Sequence, residues 1–179
     1  MIQDLALQCN ILSECVNHIN RSRPITHRVI DSLKKMPTPP IYFDDWMKTV
    51  TIRTHHLHHV YNFDLTDGIK RYIDDRIIED GFDNIPIRAF KEKLGTLYIF
   101  NRPGSWDICT QEKLNQYIRY ISHQYIIELV RSENVQQSAL DVYMYRLGKI
   151  SGHGANLHRQ HSYIKSFILS KIYVSLEAN

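Results

Sequence analysis

The chain has 179 residues, 43% of them apolar and 23% charged, with a net charge of +3. A chain of this size buries enough surface to fold without a metal or a disulfide framework. No apolar run reaches the length of a membrane span, and Met1-Ile2-Gln3-Asp4 opens no basic-then-apolar leader, so an intracellular, cytoplasmic protein without a membrane anchor is expected.

Three cysteines, Cys9, Cys15 and Cys109, form no Cys-x-x-Cys pair, and their odd number points to a reducing compartment. Residues 1–35 hold five Lys/Arg against three Asp/Glu, residues 36–145 twelve against fifteen, and residues 146–179 five against one. Basic ends around an acidic middle suit an anion or nucleic-acid patch, or the pairing of complementary subunit surfaces. Isoleucine is abundant while alanine and glycine are scarce, the texture of an AT-rich coding sequence, which raises the expectation of a bacteriophage accessory protein.

In chain order, Ile2, Leu5, Cys9, Leu12, Val16 and Ile19 recur at alternating spacings of three and four, one face of a helix ending near Asn20. That seam is either core-facing, with Cys9 buried, or a short dimerising helix. Pro24 suits the first turn of a second helix reaching Met36, with Val29, Ile30 and Leu33 on one side. Pro37-Thr38-Pro39-Pro40 then breaks the chain. The division expected is an N-terminal helical hairpin over 1–36, for dimerisation or docking, and a main α+β domain over 41–179.

The alternation Thr49-Val50-Thr51-Ile52 predicts a half-buried strand. Thr66 is a plausible N-cap for a helix from Asp67 to about Asp80, closed by Gly81. A short helix is expected around Ile87–Leu94, then a strand at Thr96–Phe100 and a turn at Asn101-Arg102-Pro103-Gly104. Thr110 should cap the longest helix, running to about Ser132 with a stripe of Leu114, Ile118, Ile121, Tyr125 and Leu129. Another helix is expected from Asn134 to about Leu147, and a last one carries Ile164, Phe167, Ile168, Ile172 and Leu176. The fold class that follows is α+β and mainly helical, about five to seven helices around a sheet of two or three strands.

Four features could carry chemistry. The run His55-His56-Leu57-His58-His59 places His55 and His59 one turn apart on a helix, or His56 and His58 on one face of a strand. With His158 and His161, and Asp44, Asp45, Asp74 and Asp75 nearby, His55 and His59 are candidate ligands for a divalent metal in a hydrolase or nuclease. Otherwise no cofactor is expected, and Asp74-Asp75 read as a solvated acidic face. The loop Ser151-Gly152-His153-Gly154-Ala155-Asn156 could offer backbone N–H groups to a phosphate, but lacks the Gly-Lys-Ser/Thr of a Walker loop.

Basic residues near the two ends, Arg21, Arg23, Arg28, Lys149, His153, Arg159 and Lys165, would contact nucleic acid in a binding module. Tyrosines crowd the C-terminal helices, interleaved with arginines, a composition favoured at protein interfaces. No motif marks a catalytic nucleophile. The leading expectation is a non-catalytic, self-associating accessory protein that docks onto a larger assembly. Its interface would be Leu5, Leu12, Val16, Tyr117, Arg119, Tyr120, Tyr143, Tyr145 and Arg146, its partners proteins and a second copy of itself.

Overall fold

The computed structural model describes residues 8–16, 24–132, 140–151 and 157–176, apart from the side chains of 157 and 158. Leu5, Arg21, Arg23, His153 and the His158 side chain lie outside that set, as does the expected helix start at Asn134. Among the described residues there are eight helices and one four-stranded sheet, a mainly helical α+β fold. No helix there is long and apolar enough to cross a membrane.

The elements run α1 (8–16), α2 (Ile25–Lys35), α3 (Phe43–Lys48), α4 (Thr54–Asn62), α5 (Leu65–Asp80), β1 (Ile87–Phe90), β2 (Leu97–Asn101) and β3 (Ser105–Ile108). They continue with α6 (Gln111–Ser132), α7 (Leu140–Ser151), α8 (Leu157–Ile172) and β4 (Tyr173–Val174). The sheet order is β3-β2-β1-β4, an antiparallel meander with β4 added parallel to β1.

Both faces of β1 and β2 are covered. Ile87, Ala89, Leu97 and Ile99 join the large core formed with α3 to α8. Phe90 and Tyr98 point the other way, under Val29 and Leu33 of α2 and beside Leu176. The proline-rich break therefore separates α2 from the rest in sequence but not in packing. Strands buried on both faces lose the polar–apolar alternation. That is why Ile87-Arg88-Ala89-Phe90 reads as a helix in sequence and is a strand in the fold.

Arg88 is the cost of that arrangement. Its guanidinium is buried, and Nη1 donates to the carbonyls of Ile85 and Ile87 at 2.7 and 2.8 Å while Nη2 reaches that of Asp83 at 3.1 Å. The rings of Phe82 and Trp106 flank it, and burial lowers its pKa from the usual value.

Other boundaries depart from expectation for local reasons. Val50 and Ile52 are buried and Thr49 and Thr51 exposed, as alternation demands, but the segment has no ladder partner and links α3 to α4 instead of forming a strand. The N-cap of α5 is Asp64, whose carboxylate accepts the N–H of Asp67 at 2.9 Å, so Thr66 is inside the helix and buried. Gly81 ends α5 with φ at 77°, a conformation open to glycine. Thr110 caps α6 as expected, its hydroxyl accepting the N–H of Lys113 at 3.2 Å. Helix α7 does not stop before Gly148 but runs through it to Ser151. On α2, Val29 and Leu33 are buried while Ile30 stays exposed, and on α1 Cys9 is exposed, not buried.

Helices α4 and α5 meet with little space to spare. A Cβ on Gly68 would fall 2.2 Å from Cγ2 of Val60. The hydroxyl of Tyr125 on α6 donates to the Gly68 carbonyl at 2.7 Å. Three helices are pinned together at that point.

Candidate functional site

The histidine run is helical, so the strand pairing of His56 with His58 does not occur. The helical pairing expected, His55 with His59, is not formed either. His59 packs against the ring of Phe63, with centroids 4.7 Å apart. The group that forms is His55, His56 and Asp75, whose ligand-type atoms lie within 4.8 Å of one another. Nε2 of His55 is 3.5 Å and Nε2 of His56 3.3 Å from Oδ2 of Asp75. His161 on α8 is half-buried and outside this group. Asp75 is not on a solvated face: it is half-buried and also holds Arg71, with Nη2 to Oδ1 at 3.0 Å.

His56 is 3% exposed. Its Nδ1 accepts the backbone N–H of Arg53 at 3.0 Å, the place a Glu or Gln takes at the third position of a capped helix. With Nδ1 an acceptor, the ring proton of the neutral imidazole sits on Nε2 and is donated to Asp75. Burial, followed by the neighbouring His55, pushes the His56 pKa down to about 4, although Asp75 pulls the other way.

A metal on Nε2 would displace that proton to Nδ1, directly against the Arg53 N–H. Metal ligation and the α4 cap therefore exclude each other, and the guanidiniums of Arg71 and Arg53 add positive charge beside the site.

The surrounding surface is densely paired. Arg53 makes two parallel bonds to Glu79, 2.5 and 3.1 Å long. Arg76 bonds Asp80 and the carbonyl and hydroxyl of Thr49, and Trp46 Nε1 donates to the same Asp80 at 2.7 Å. Lys171 reaches Asp74 and Lys113 reaches Asp44. Arg102 bonds Asp45, and this hydrogen bond holds the Asp45 carboxyl below its usual pKa. The half-buried Cys109 has its thiol pushed up to about 11 by burial, so it offers no thiolate at neutral pH.

By contrast Arg28, Lys34 and Lys35 on α2 and Lys91 after β1 have no carboxylate partner among the described residues. Lys93 donates to Thr26 at 3.1 Å, which lays the β1–β2 turn against the start of α2. The described basic residues expected near the C-terminus have contacts of their own. Lys149 donates to the Phe63 carbonyl, Arg159 bonds the Tyr163 hydroxyl, and Lys165 is half-buried.

The residues expected at an interface divide. Tyr117 is 2% exposed and packs edge-on to Phe43 in the core, so it cannot meet a partner; it sits on the inner stripe of α6 beside Ile118. Tyr120 and Tyr143 are half-buried against the core, and Arg146 stacks over Tyr61. Arg119 is exposed but donates to the carbonyl of Asn115 on its own helix. Tyr145, Leu12 and Val16 are exposed.

Large apolar side chains also stand exposed on α7 and on two other helices, which the tyrosine pattern alone misses. Leu140, Val142 and Met144 on α7, Ile127 and Val130 on α6, and Tyr163 on α8 are all exposed large side chains. The signal was there in α7: apolar residues surround that helix on every side, the pattern of a buried helix, and yet only Ile150 is buried. No family model, curated protein or solved structure matches the chain.

Proposed function

We propose that the protein is a non-catalytic interaction protein that docks onto a larger assembly through α7 and self-associates through α1. The observation that carries the docking half is α7 itself, where Leu140, Val142, Met144 and Tyr145 are all exposed on one twelve-residue helix. Large apolar side chains left in solvent on several sides of one helix mark a contact site more often than a solvated surface. Tyrosine and methionine, both enriched at interfaces, are among them. Partners of this helix are proteins with a complementary apolar surface.

The test is capture from nuclease-treated lysate of the source organism, comparing the wild type with Val142→Ser/Tyr145→Ser. A protein held stoichiometrically by the wild type and lost by the variant, with thermal unfolding unchanged, supports the reading. Equal capture by both, or capture of nothing, removes α7 as the contact.

A second reading, binding to nucleic acid, is favoured by one observation: among the described residues Arg28, Lys34, Lys35 and Lys91 lack the carboxylates that neutralise Arg53 and the cations of α5. Phosphate contacts from Arg28, Lys34, Lys35 and Lys91 would make binding fall steeply with salt. Binding to a labelled duplex that drops about tenfold or more between roughly 50 and 200 mM salt, and is lost in Lys34→Glu/Lys35→Glu, would support it. An unchanged signal in that variant would exclude this surface.

A further inference from the structure

Helix α1 differs from every other described helix. All of its described residues, 8–16, are exposed, including Ile11, Leu12 and Val16. A helix whose described side chains all stand in solvent gains little from tertiary packing, the main source of helical stability in proteins. Its apolar side chains are not scattered. The seam Ile2, Leu5, Cys9, Leu12, Val16, Ile19 keeps a strict alternation of three and four, the narrow stripe of a coiled coil. A helix packed on its own globular body uses a broader stripe.

The identities along that seam select a partner. In heptad order the first core position holds Ile2, Cys9 and Val16, and the second holds Leu5, Leu12 and Ile19. A β-branched residue at the first position, with leucine at the second, favours two parallel strands. Ile2, Val16, Leu5 and Leu12 follow that rule. The positions flanking the seam are Ala6, Ser13 and Asn20 on one side and Gln8 and Cys15 on the other. None is charged, so two identical helices meet without repulsion, and no oppositely charged stranger is called for.

We infer that α1 pairs with α1 of a second copy of this chain, parallel and in register, so that Cys9 faces Cys9 of that copy and Leu12 faces Leu12. The inference rests on the self-association half of the proposed function and names its partner and geometry. The pairing buries Cys9, Leu12 and Val16, which the single chain leaves exposed. It also brings two bodies together at one end, each free to offer its own α7. Antiparallel pairing would set Cys9 opposite Leu12 instead, which makes Cys9 a reporter of direction.

The experiment uses the full-length chain with Cys15→Ser and Cys109→Ser, so that Cys9 is the sole thiol. Light scattering over a range of concentrations should show the mass rising from 21.2 kDa towards twice that value. Copper–phenanthroline, as the oxidant that takes two electrons and two protons from a thiol pair, should then give a disulfide-linked dimer on a non-reducing gel. Adding Cys9→Ser should abolish the linked dimer, and Leu12→Glu/Val16→Glu should return a monomer with unchanged thermal unfolding.

A dimer that fails to cross-link through Cys9 overturns parallel pairing and leaves self-association standing. A dimer that survives Leu12→Glu/Val16→Glu overturns α1 as the contact. A monomer at every concentration overturns the inference and the self-association half of the proposed function together.

Discussion

At the α4–α5 junction charged groups have partners and a glycine is the only residue that fits; on α7 large apolar side chains stand in solvent. The junction holds the residues most conspicuous in the sequence, four histidines in five positions and a string of alternating charges. The geometry gives them structural work: His56 closes the start of α4, Arg53 holds Glu79, Arg76 holds Asp80. Helix α7 holds ordinary apolar residues that read as core. In this protein the eye-catching polar cluster stabilises the fold, and the plain apolar residues are the ones available to a partner.

If His56 is structural, its titration must couple to stability. The unfolded imidazole takes up a proton near pH 6.5 and the folded one near pH 4. Between those values the unfolded state binds more protons, so the stability from this group is complete above about pH 6.5. It is lost progressively as the pH falls to about 4, for a total of up to about 3 kcal/mol. Urea denaturation at several pH values measures it. In His56→Gln, where the amide oxygen can still accept the Arg53 N–H, that share of the slope should vanish. A variant with the same slope as the wild type would mean that the carboxylates alone set the acid sensitivity.

Close packing at the same junction makes the next prediction. Gly68→Ala drives a methyl into Val60, at an overpacking cost of about 3 kcal/mol. Alanine regains about 1 kcal/mol as the better helix former, leaving a loss of about 2 kcal/mol. Val60→Ala in the same chain makes room, so the double variant should be more stable than the sum of the two single losses predicts. Strict additivity would break the picture of α4 and α5 locked at this point.

Two buried tyrosines sharpen the contrast between satisfied and unsatisfied polar groups. Tyr125 donates to the Gly68 carbonyl, and Tyr125→Phe should cost about 1 kcal/mol in chemical denaturation. The Tyr98 hydroxyl is buried with no partner among the described residues. Removing it as Tyr98→Phe should leave stability level or slightly raised, since an unmet hydroxyl is a penalty rather than a contact. Equal losses in both would place a hydrogen-bonding group beside Tyr98.

How much of this is legible in the sequence follows from which forces act locally. Helix α6 was read nearly residue for residue, because its cap at Thr110 and its apolar period are local. The turn between β2 and β3 was read for the same reason. Strand β1 was missed because Arg88 is buried under a ring pair and three carbonyls, an environment assembled from Asp83, Ile85 and a strand two elements away. The C-terminal end of α7 differs from the expected stop near Leu147 because its apolar residues are not confined to one face, so periodicity marks no clear stop before Ser151. The histidine cluster is half legible: Asp75 is among the carboxylates expected near it, but the pairing of His55 with His56 instead of His59 depends on how α5 packs against α4. Charge pairing between helices leaves no periodic trace.

The smallest expected effect is the one that most sharply separates structural from functional histidines. Zinc or cobalt(II) added to tag-free protein at one equivalent should leave thermal unfolding unchanged at the α4–α5 junction. The reason is protonic: Nδ1 of His56 faces an N–H donor, so Nε2 cannot give up its proton to a metal while the cap remains. Asp75 is already shared with Arg71. Two guanidiniums nearby repel a divalent ion, although the 3.3 and 3.5 Å separations would suit a tetrahedral edge. Any binding that persists in Asp75→Asn belongs to another part of the chain. Stoichiometric binding that Asp75→Asn or His55→Ala abolishes would mean that the junction opens its cap to take the ion, and would return metal chemistry to the histidines that here hold a helix in place.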